Sequence, residues 1–293
     1  MSHTCVLCRP ESSLRVFDGL AATYPSRFAG PPTSAHGGMS VAGLICPVLR
    51  SVDDRRVVAH VNGRINRPVP LNAPIEMKVE GEGPYRVEMV SGAETVLSGT
   101  VTLVDDADAR RLPAHIEEHM ESMAAQIGVT PEGPTVIQYR DALVGDTAPE
   151  RENHCYGCSE RDHAMKIASW HLPSDDLLST WDIEAEQVEP DGNISPTSIV
   201  SALDCTNVLV IKAKDEAEAQ KDCERGIGWL TGTHGVFFLK EAPADKSYRM
   251  ITRNLSREGR KAVSIAALFD TDGTVYAVAE DILIQVTFPP AAN

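Results

Sequence analysis

Two short stretches carry residue types that could act on a carbonyl group. His36, Gly37 and Gly38 stand just ahead of an apolar run, MSVAGLICPVLRSV. Backbone N–H groups at such a helix start can receive negative charge developing on an oxygen. Glycine there lets a ligand approach the main chain closely. His36 would orient that ligand or cap the turn. Without a function, the same tripeptide is simply a turn before a helix. Asp204 lies inside a second apolar run, ISPTSIVSALDCTNVLVI, residues 194 to 211. A carboxylate in such a run costs free energy unless it is paired or used. Hydrolysis of an activated acyl group needs a base or a nucleophile, and Asp204 could be either. Its structural alternative is a hydrogen bond to Thr206 or Asn207, close by in sequence.

The chain holds seven cysteines, an odd number, and its first residues, MSHTCVLCRPESSLRV, lack a basic segment followed by an apolar one. Both features point to reduced thiols and a cytoplasmic location. Cys5/Cys8 and Cys155/Cys158 form two Cys-x-x-Cys pairs, with His3 and His154 ahead of them. Four thiolates at such spacing could bind zinc tetrahedrally. Each pair precedes the first strand of its half, however, so repetition accounts for them and neither a metal nor another cofactor is expected. Cys46 and Cys205 read as small core residues. Cys205 is a weaker nucleophile candidate than Asp204, because nothing basic is adjacent to it. No Gly-x-Ser-x-Gly elbow, P-loop or dinucleotide fingerprint is present.

Lys plus Arg number 27 and Asp plus Glu 42, giving a net charge of −15 that would repel a nucleic-acid backbone. Aromatic residues are only 5% of the chain, which disfavours a stacking platform for bases. No apolar run reaches the ~18 residues of a membrane span. A phosphorylated small molecule would need a local basic cluster. Arg253, Arg257, Arg260 and Lys261 form one such run near a strand turn, and Arg64 and Arg67 lie in the first half; plain solvated surface is the alternative.

The elements that must position these residues occur twice in the same order. A length of 293 residues suits roughly two domains. The first apolar run predicts a buried helix over about 37–51, bent by or ending near Pro47. Strands are predicted over 57–69, 75–83, 85–92 and 94–104, with Gly, Pro, Asn and Ser between them. In the second half, strands at 165–172 and 177–184 precede a helix over 194–211, with Ser195 as N-cap and Pro196 in its first turn. Four more strands follow, with DTDG at 270–273 as a hairpin turn. Residues 113–127 read as an amphipathic helix in a charged connection, where His115, Met120 and Met123 are surface or packing residues. The expected division is 1–104, a connecting segment 105–150, and 151–293.

Here the sequence resembles a family. SAHGGMSVAGLI is similar to the His-Gly-Gly helix start of acyl-CoA thioesterases of the hotdog fold. RINRPVPLNAPIEMKVE, HCYGCSERDHAMKI, SPTSIVSALDCT and the tail SREGRKAVSIAALFDTDGTVYAVAEDILI resemble later segments of the same group in order. The resemblance implies an α+β double hotdog, with two antiparallel sheets each wrapped around a hydrophobic helix. It also implies an acyl-CoA or acyl-carrier-protein substrate, and larger homo-oligomers of such units are common in the family. The family places a carboxylate nine residues after the histidine, but here position 45 is Ile45. Counting back nine from Asp204 gives Ser195 of Ser-Pro-Thr in place of His-Gly-Gly. The two losses are complementary. One composite site is therefore expected, with His36, Gly37 and Gly38 polarising the thioester and Asp204 as base or nucleophile. The pseudo-symmetric second site would be dead. Arg260, with Arg257, Lys261 and Arg67, would meet the phosphates. The alternatives are an enoyl-thioester hydratase or dehydratase using His36 and Asp204 as an acid–base pair, and a non-catalytic acyl-thioester binding protein.

Overall fold

The computed structural model describes residues 5–31, 33–52, 56–105, 109–136, 155–159, 162, 164–212, 221 and 225–287. The first half supplies β1 (Phe17–Asp18), β2 (Ala21–Ala22), α1 (Gly37–Ala42), α2 (Ile45–Ser51), β3 (Val57–Ile65), β4 (Ile75–Glu80), β5 (Tyr85–Ser91) and β6 (Glu94–Val104). α3 (Ala114–Ala124) follows. The second half supplies β7 (Ala168–His171), β8 (Leu177–Thr180), α4 (Pro196–Lys212), β9 (Ile227–Phe238), β10 (Tyr248–Glu258), β11 (Lys261–Asp270) and β12 (Val275–Thr287).

The twelve strands of the described residues join one antiparallel sheet in the order β1-β2-β4-β5-β6-β3-β9-β12-β11-β10-β8-β7. Read from the centre outward, each half gives its own strands in one matching sequence. β3 corresponds to β9, β6 to β12, β5 to β11, β4 to β10, β2 to β8 and β1 to β7. The seam is the β3–β9 pair, with His60 opposite Phe237 and Arg64 opposite Thr233. Strand alternation sets the inner face. In β5, Tyr85, Val87 and Met89 are buried while Arg86 and Glu88 are exposed.

α4 is buried on nearly every side, with apolar Ile199, Val200, Leu203, Leu209 and Val210 beside buried polar residues such as Ser201 and Asp204, and such a helix belongs in a core. Its main helical partner is α1, and it also packs on β9, β10, β11 and β12. Pro196 stands at its first helical position as expected. Ser195 bonds with its hydroxyl to Thr197 Oγ1, 2.8 Å away, and to the Glu189 carboxylate, instead of to a backbone N–H.

The single helix expected over 37–51 is broken at residues 43 and 44 into α1 and α2. Pro47 has no N–H to give the Gly43 carbonyl one turn earlier, and its ring crowds that carbonyl. Leu44 N–H turns to Val41 O at 3.0 Å, a tighter turn that resets the direction. Gly43 is also obligatory, since a Cβ there would lie 2.1 Å from the Tyr24 hydroxyl.

α3 forms as predicted and lies against the second half. Ile116, Met120 and Met123 are buried with Leu178, Ile251, Ile265, Phe269 and Val278. Met120 and Met123 are thus packing residues, and His115 is on the surface against Glu280 Oε1 at 3.0 Å. No disulfide joins the described cysteines. Among the described residues no helix is long and apolar enough to cross a membrane.

Candidate active site

The α1–α4 crossing brings the expected residues together from opposite halves. Asp204 Oδ2 accepts a 2.7 Å hydrogen bond from the Gly38 N–H. Asp204 Oδ1 accepts one of 2.6 Å from the Thr231 hydroxyl. His36 Nε2 stands 3.4 Å from the same Oδ2. Neither Thr206 nor Asn207 is the carboxylate's partner; Thr206 donates to Leu203 O instead. Asp204 is 2% exposed and His36 3%.

Glycine makes this approach possible. A Cβ at Gly38 would sit 2.6 Å from Asp204 Cβ and 2.8 Å from Val200 O. A Cβ at Gly37 would sit 2.9 Å from Thr231 Oγ1 and 3.0 Å from Asp204 Oδ2. The first N–H groups of a helix lack partners within it, and here they are divided. His36 caps α1, its Nδ1 accepting from Met39 N–H at 3.3 Å. Gly38 N–H goes to Asp204. Among the described residues the Gly37 N–H has no partner, and Gly37 is half-buried where its neighbours on both sides are buried. Of the three residues expected to polarise a carbonyl, only Gly37 has its amide to give.

An Nδ1 that accepts needs its lone pair, so the neutral ring carries its proton on Nε2, facing Asp204. Burial lowers the basicity of His36, but Cys155 and Asp204 outweigh it and the net shift is upward.

Three residues around Asp204 are not among those expected from the sequence. Thr231 is one. His234 and Asp281 are the others; with Asp204 they form a cluster whose side-chain N and O atoms lie within 4.8 Å of one another. A bulge explains how Thr231 and His234 share a face. Opposite Ile282 and Leu283 the register jumps from Thr233 to Thr231, leaving Gly232 extra. Were Gly232 paired regularly, strand alternation would place Thr231 and His234, three residues apart, on opposite faces.

His234 Nε2 faces Val200 O at 2.9 Å, and Nδ1 faces Asp281 Oδ1 at 2.5 Å. Both partners accept, so the ring is held as a donor on both sides. Burial lowers its pKa, yet the Asp281 charge and hydrogen bond, with Asp204 and the Val200 carbonyl, bring it up to about 9. Burial raises Asp281 to about 7 against the pull of His234. Both groups therefore hold their protons more tightly in the folded chain, and both shifts lower stability as pH rises. A histidine raised in the folded state adds stability that is full below about pH 6.5 and is lost as pH rises through the folded value. The urea midpoint should therefore fall between pH 7 and pH 9.5. His234→Gln should start lower and vary less over that range. A parent midpoint that is flat over those pH values would contradict the assignment.

The basic residues lie elsewhere and are partly occupied. Arg260 Nε and Nη2 donate to Gln285 O at 3.1 and 2.9 Å. The Arg257 guanidinium lies 5.0 Å over the Trp229 ring. Lys261 is exposed on the same β10–β11 hairpin. Arg67 pairs with Glu94 at 3.1 Å in the first half.

At the pseudo-equivalent position, Ile45 stands where Asp204 does in the other half, and Pro196 and Thr197 stand for Gly37 and Gly38. These three line a cavity of about 380 Å³ with Leu49, Ile199 and Phe238. That side has room, but no carboxylate occupies the position equivalent to Asp204.

Solved structures share this architecture over nearly the whole chain. Acyl-CoA thioesterase II TesB2 of Mycobacterium marinum superposes with a TM-score of 0.53 at 15% identity, covering 89% of this chain and 92% of that one. A conserved protein with a hot dog fold from Alicyclobacillus acidocaldarius gives 0.53 at 11% identity, covering 93% and 96%. The chain folds as a double hotdog. The tesB protein of Mycobacterium avium subsp. paratuberculosis adds a third match at 0.51 and 15% identity, covering 92% of each chain. No protein-family model matches the sequence, and no curated protein matches it. The double hotdog accounts for the strand order. Two copies meet at β3 and β9, and each central helix is wrapped by its own arm of the sheet.

Proposed function

We propose that this double hotdog is an acyl-CoA or acyl-carrier thioesterase with one composite site. The observation that carries the reading is the Asp204 carboxylate, held by an amide of one half and a hydroxyl of the other. Oδ1 accepts only from Thr231 and keeps a lone pair for a water proton, while Oδ2 takes the Gly38 N–H and faces the His36 Nε2 proton. Asp204 is the general base, and Thr231 and Gly38 fix its plane. The Gly37 N–H receives the charge that develops on the thioester oxygen. His36 holds the turn through Met39 N–H and presents its Nε2 proton to Asp204. Arg257, Arg260 and Lys261 meet the phosphates of the carrier arm, while Arg67 keeps its pairing with Glu94. The working location is the cytoplasm, the halves 1–104 and 151–293 act as one catalytic unit, and neither a nucleic-acid nor a membrane partner is involved.

A lyase on this scaffold is the weaker reading. Acid and base would have to address different carbons of the substrate, but His36 and Asp204 face each other at 3.4 Å. Thiol release across a panel of acyl-CoAs of increasing chain length tests the choice, and turnover is expected for at least one chain length. Loss of enoyl absorbance without CoA release would replace the hydrolase with a hydratase. Tight binding without either signal would leave a binding protein.

A further inference from the structure

The six described cysteines are gathered into two matching trios, and the proposed hydrolysis does not use them. In the first half, Cys5 and Cys8 lie on one turn, closed by Cys8 N–H and Arg9 N–H on Cys5 O, both at 3.0 Å. Their sulfurs are 3.6 Å apart. Cys46 of α2 joins them, and all three sulfurs lie within 4.8 Å of one another. In the second half, Ser159 N–H closes the same turn on Cys155 O at 3.1 Å. Cys155 Sγ is 4.0 Å from Cys205 Sγ of α4. Cys158, on the same turn, interacts with both, while the ligand atoms of this half that lie within 4.8 Å of one another are those of Cys155, Cys205 and His36. Cys46 and Cys205 each follow directly on Ile45 and Asp204, so the two trios occupy equivalent places in the repeat.

Each Cys-x-x-Cys pair thus meets a helix cysteine of its own half, not the other pair. One four-thiolate site shared by the halves is not what the fold builds. Three thiols cannot all be joined as disulfides, and in the first half all three sulfurs are in mutual contact. A tetrahedral zinc ion with Zn–S bonds of about 2.3 Å sets neighbouring sulfurs about 3.8 Å apart. The observed 3.6 and 4.0 Å bracket that edge.

We propose that each half binds one zinc ion through three thiolates, Cys5, Cys8 and Cys46 in the first and Cys155, Cys158 and Cys205 in the second. Each thiol gives its proton to solvent as its S–Zn bond forms, so three protons leave per ion. Nothing is oxidised or reduced. Three thiolates and Zn²⁺ leave a net charge of −1. Beside the second site that charge faces the Nε2 proton of His36, whose ring nitrogen is within 4.8 Å of the Cys155 and Cys205 sulfurs. His36 is not a fourth ligand, because its Nδ1 accepts from Met39 N–H and its Nε2 carries the proton presented to Asp204. Water fills the fourth position. In the first half the cavity bordered by Cys5 supplies it.

The test is metal analysis of the full chain purified from zinc-supplemented growth without chelator. About two zinc per chain are expected, with one equivalent lost in Cys8→Ser and one in Cys158→Ser. Replacement of zinc by Co²⁺ should give a thiolate-to-cobalt charge-transfer band in the near ultraviolet. Cys8→His keeps a ligand and guards against simple misfolding. It should retain its ion while the part of the band due to that site falls by about one third. Absence of zinc and of the cobalt band would overturn the proposal. So would metal that survives both serine variants, or an intramolecular disulfide within a trio found by mass spectrometry. One equivalent sensitive to only one of the two variants would overturn the assignment in the other half. None of these readouts depends on thioester turnover.

Discussion

Asp204→Asn should lower kcat for thioester hydrolysis by about 10²–10⁴-fold, the range expected when a positioned general base is lost. The substitution conserves shape, and the amide oxygen can still accept from Gly38 N–H or Thr231 Oγ1. What disappears is the negative charge and the site to which water gives its proton. KM for the acyl-CoA should change far less than kcat, because no substrate phosphate or chain contact is assigned to this side chain. Folding should be nearly unaffected, with a far-ultraviolet circular dichroism spectrum matching the parent. Thr231→Val keeps the branched shape and removes the 2.6 Å bond to Oδ1. It should give an intermediate loss of about tenfold, since the carboxylate is then less firmly oriented. Steady-state thiol release on the three proteins decides the matter. Parent-like turnover in Asp204→Asn would remove Asp204 from the chemistry and with it the composite site.

Much of this arrangement can be read from residue order, for a physical reason. The helix α4 and the strands from β3 to β6 announce themselves through apolar runs bounded by turn residues. The displacement of Asp204 from the position nine residues after His36 is arithmetic on the sequence. That the two losses complement each other follows once the halves are read as copies, and the Gly38–Asp204 bond joins them in space. Other features depend on register. Thr231 and His234 are three residues apart, and ordinary alternation assigns them to opposite faces. Only the extra residue at Gly232, visible in pairing with β12, turns both toward α4. Asp281 stands beside Glu280 in an apolar strand, and nothing local says which of the two faces inward. The break at residues 43 and 44 shows the same limit in a helix. Pro47 signals a disturbance, but the crowding of Gly43 by Tyr24 comes from the loop ahead of α1, whose position against the helix no local pattern gives. The trios of thiols need the tertiary fold as well, because Cys46 and Cys205 look like ordinary small core residues until the turns carrying the pairs are placed against the helices.

Gly38→Ala should destabilise the chain by about 1–3 kcal/mol, the range for forcing extra volume into a packed core, and should also cost most of the activity. Two effects of opposite sign compete. Alanine is favoured over glycine in a helix by up to about 1 kcal/mol, so at an open helical position this change would stabilise. At Gly38 the new methyl would meet Asp204 Cβ at 2.6 Å, Val200 O at 2.8 Å and Ser201 Cα at 3.0 Å. Two of these three atoms are main chain and the third is fixed directly to it, so no flexible side-chain end can swing away. α1 and α4 must move apart, and the move lengthens the 2.7 Å bond between Gly38 N–H and Asp204 Oδ2. Because that bond joins the halves at the carboxylate, stability and turnover should fall together. Gly128→Ala is the control, since nothing lies within 4 Å of a Cβ there. It should shift stability by no more than about 0.5 kcal/mol and leave thiol release unchanged. Urea midpoints and acyl-CoA hydrolysis on the three proteins separate the cases. A Gly38→Ala chain as stable as the parent would mean that helix propensity outweighs the crossing, and the close α1–α4 contact would then not be what holds Asp204 in place.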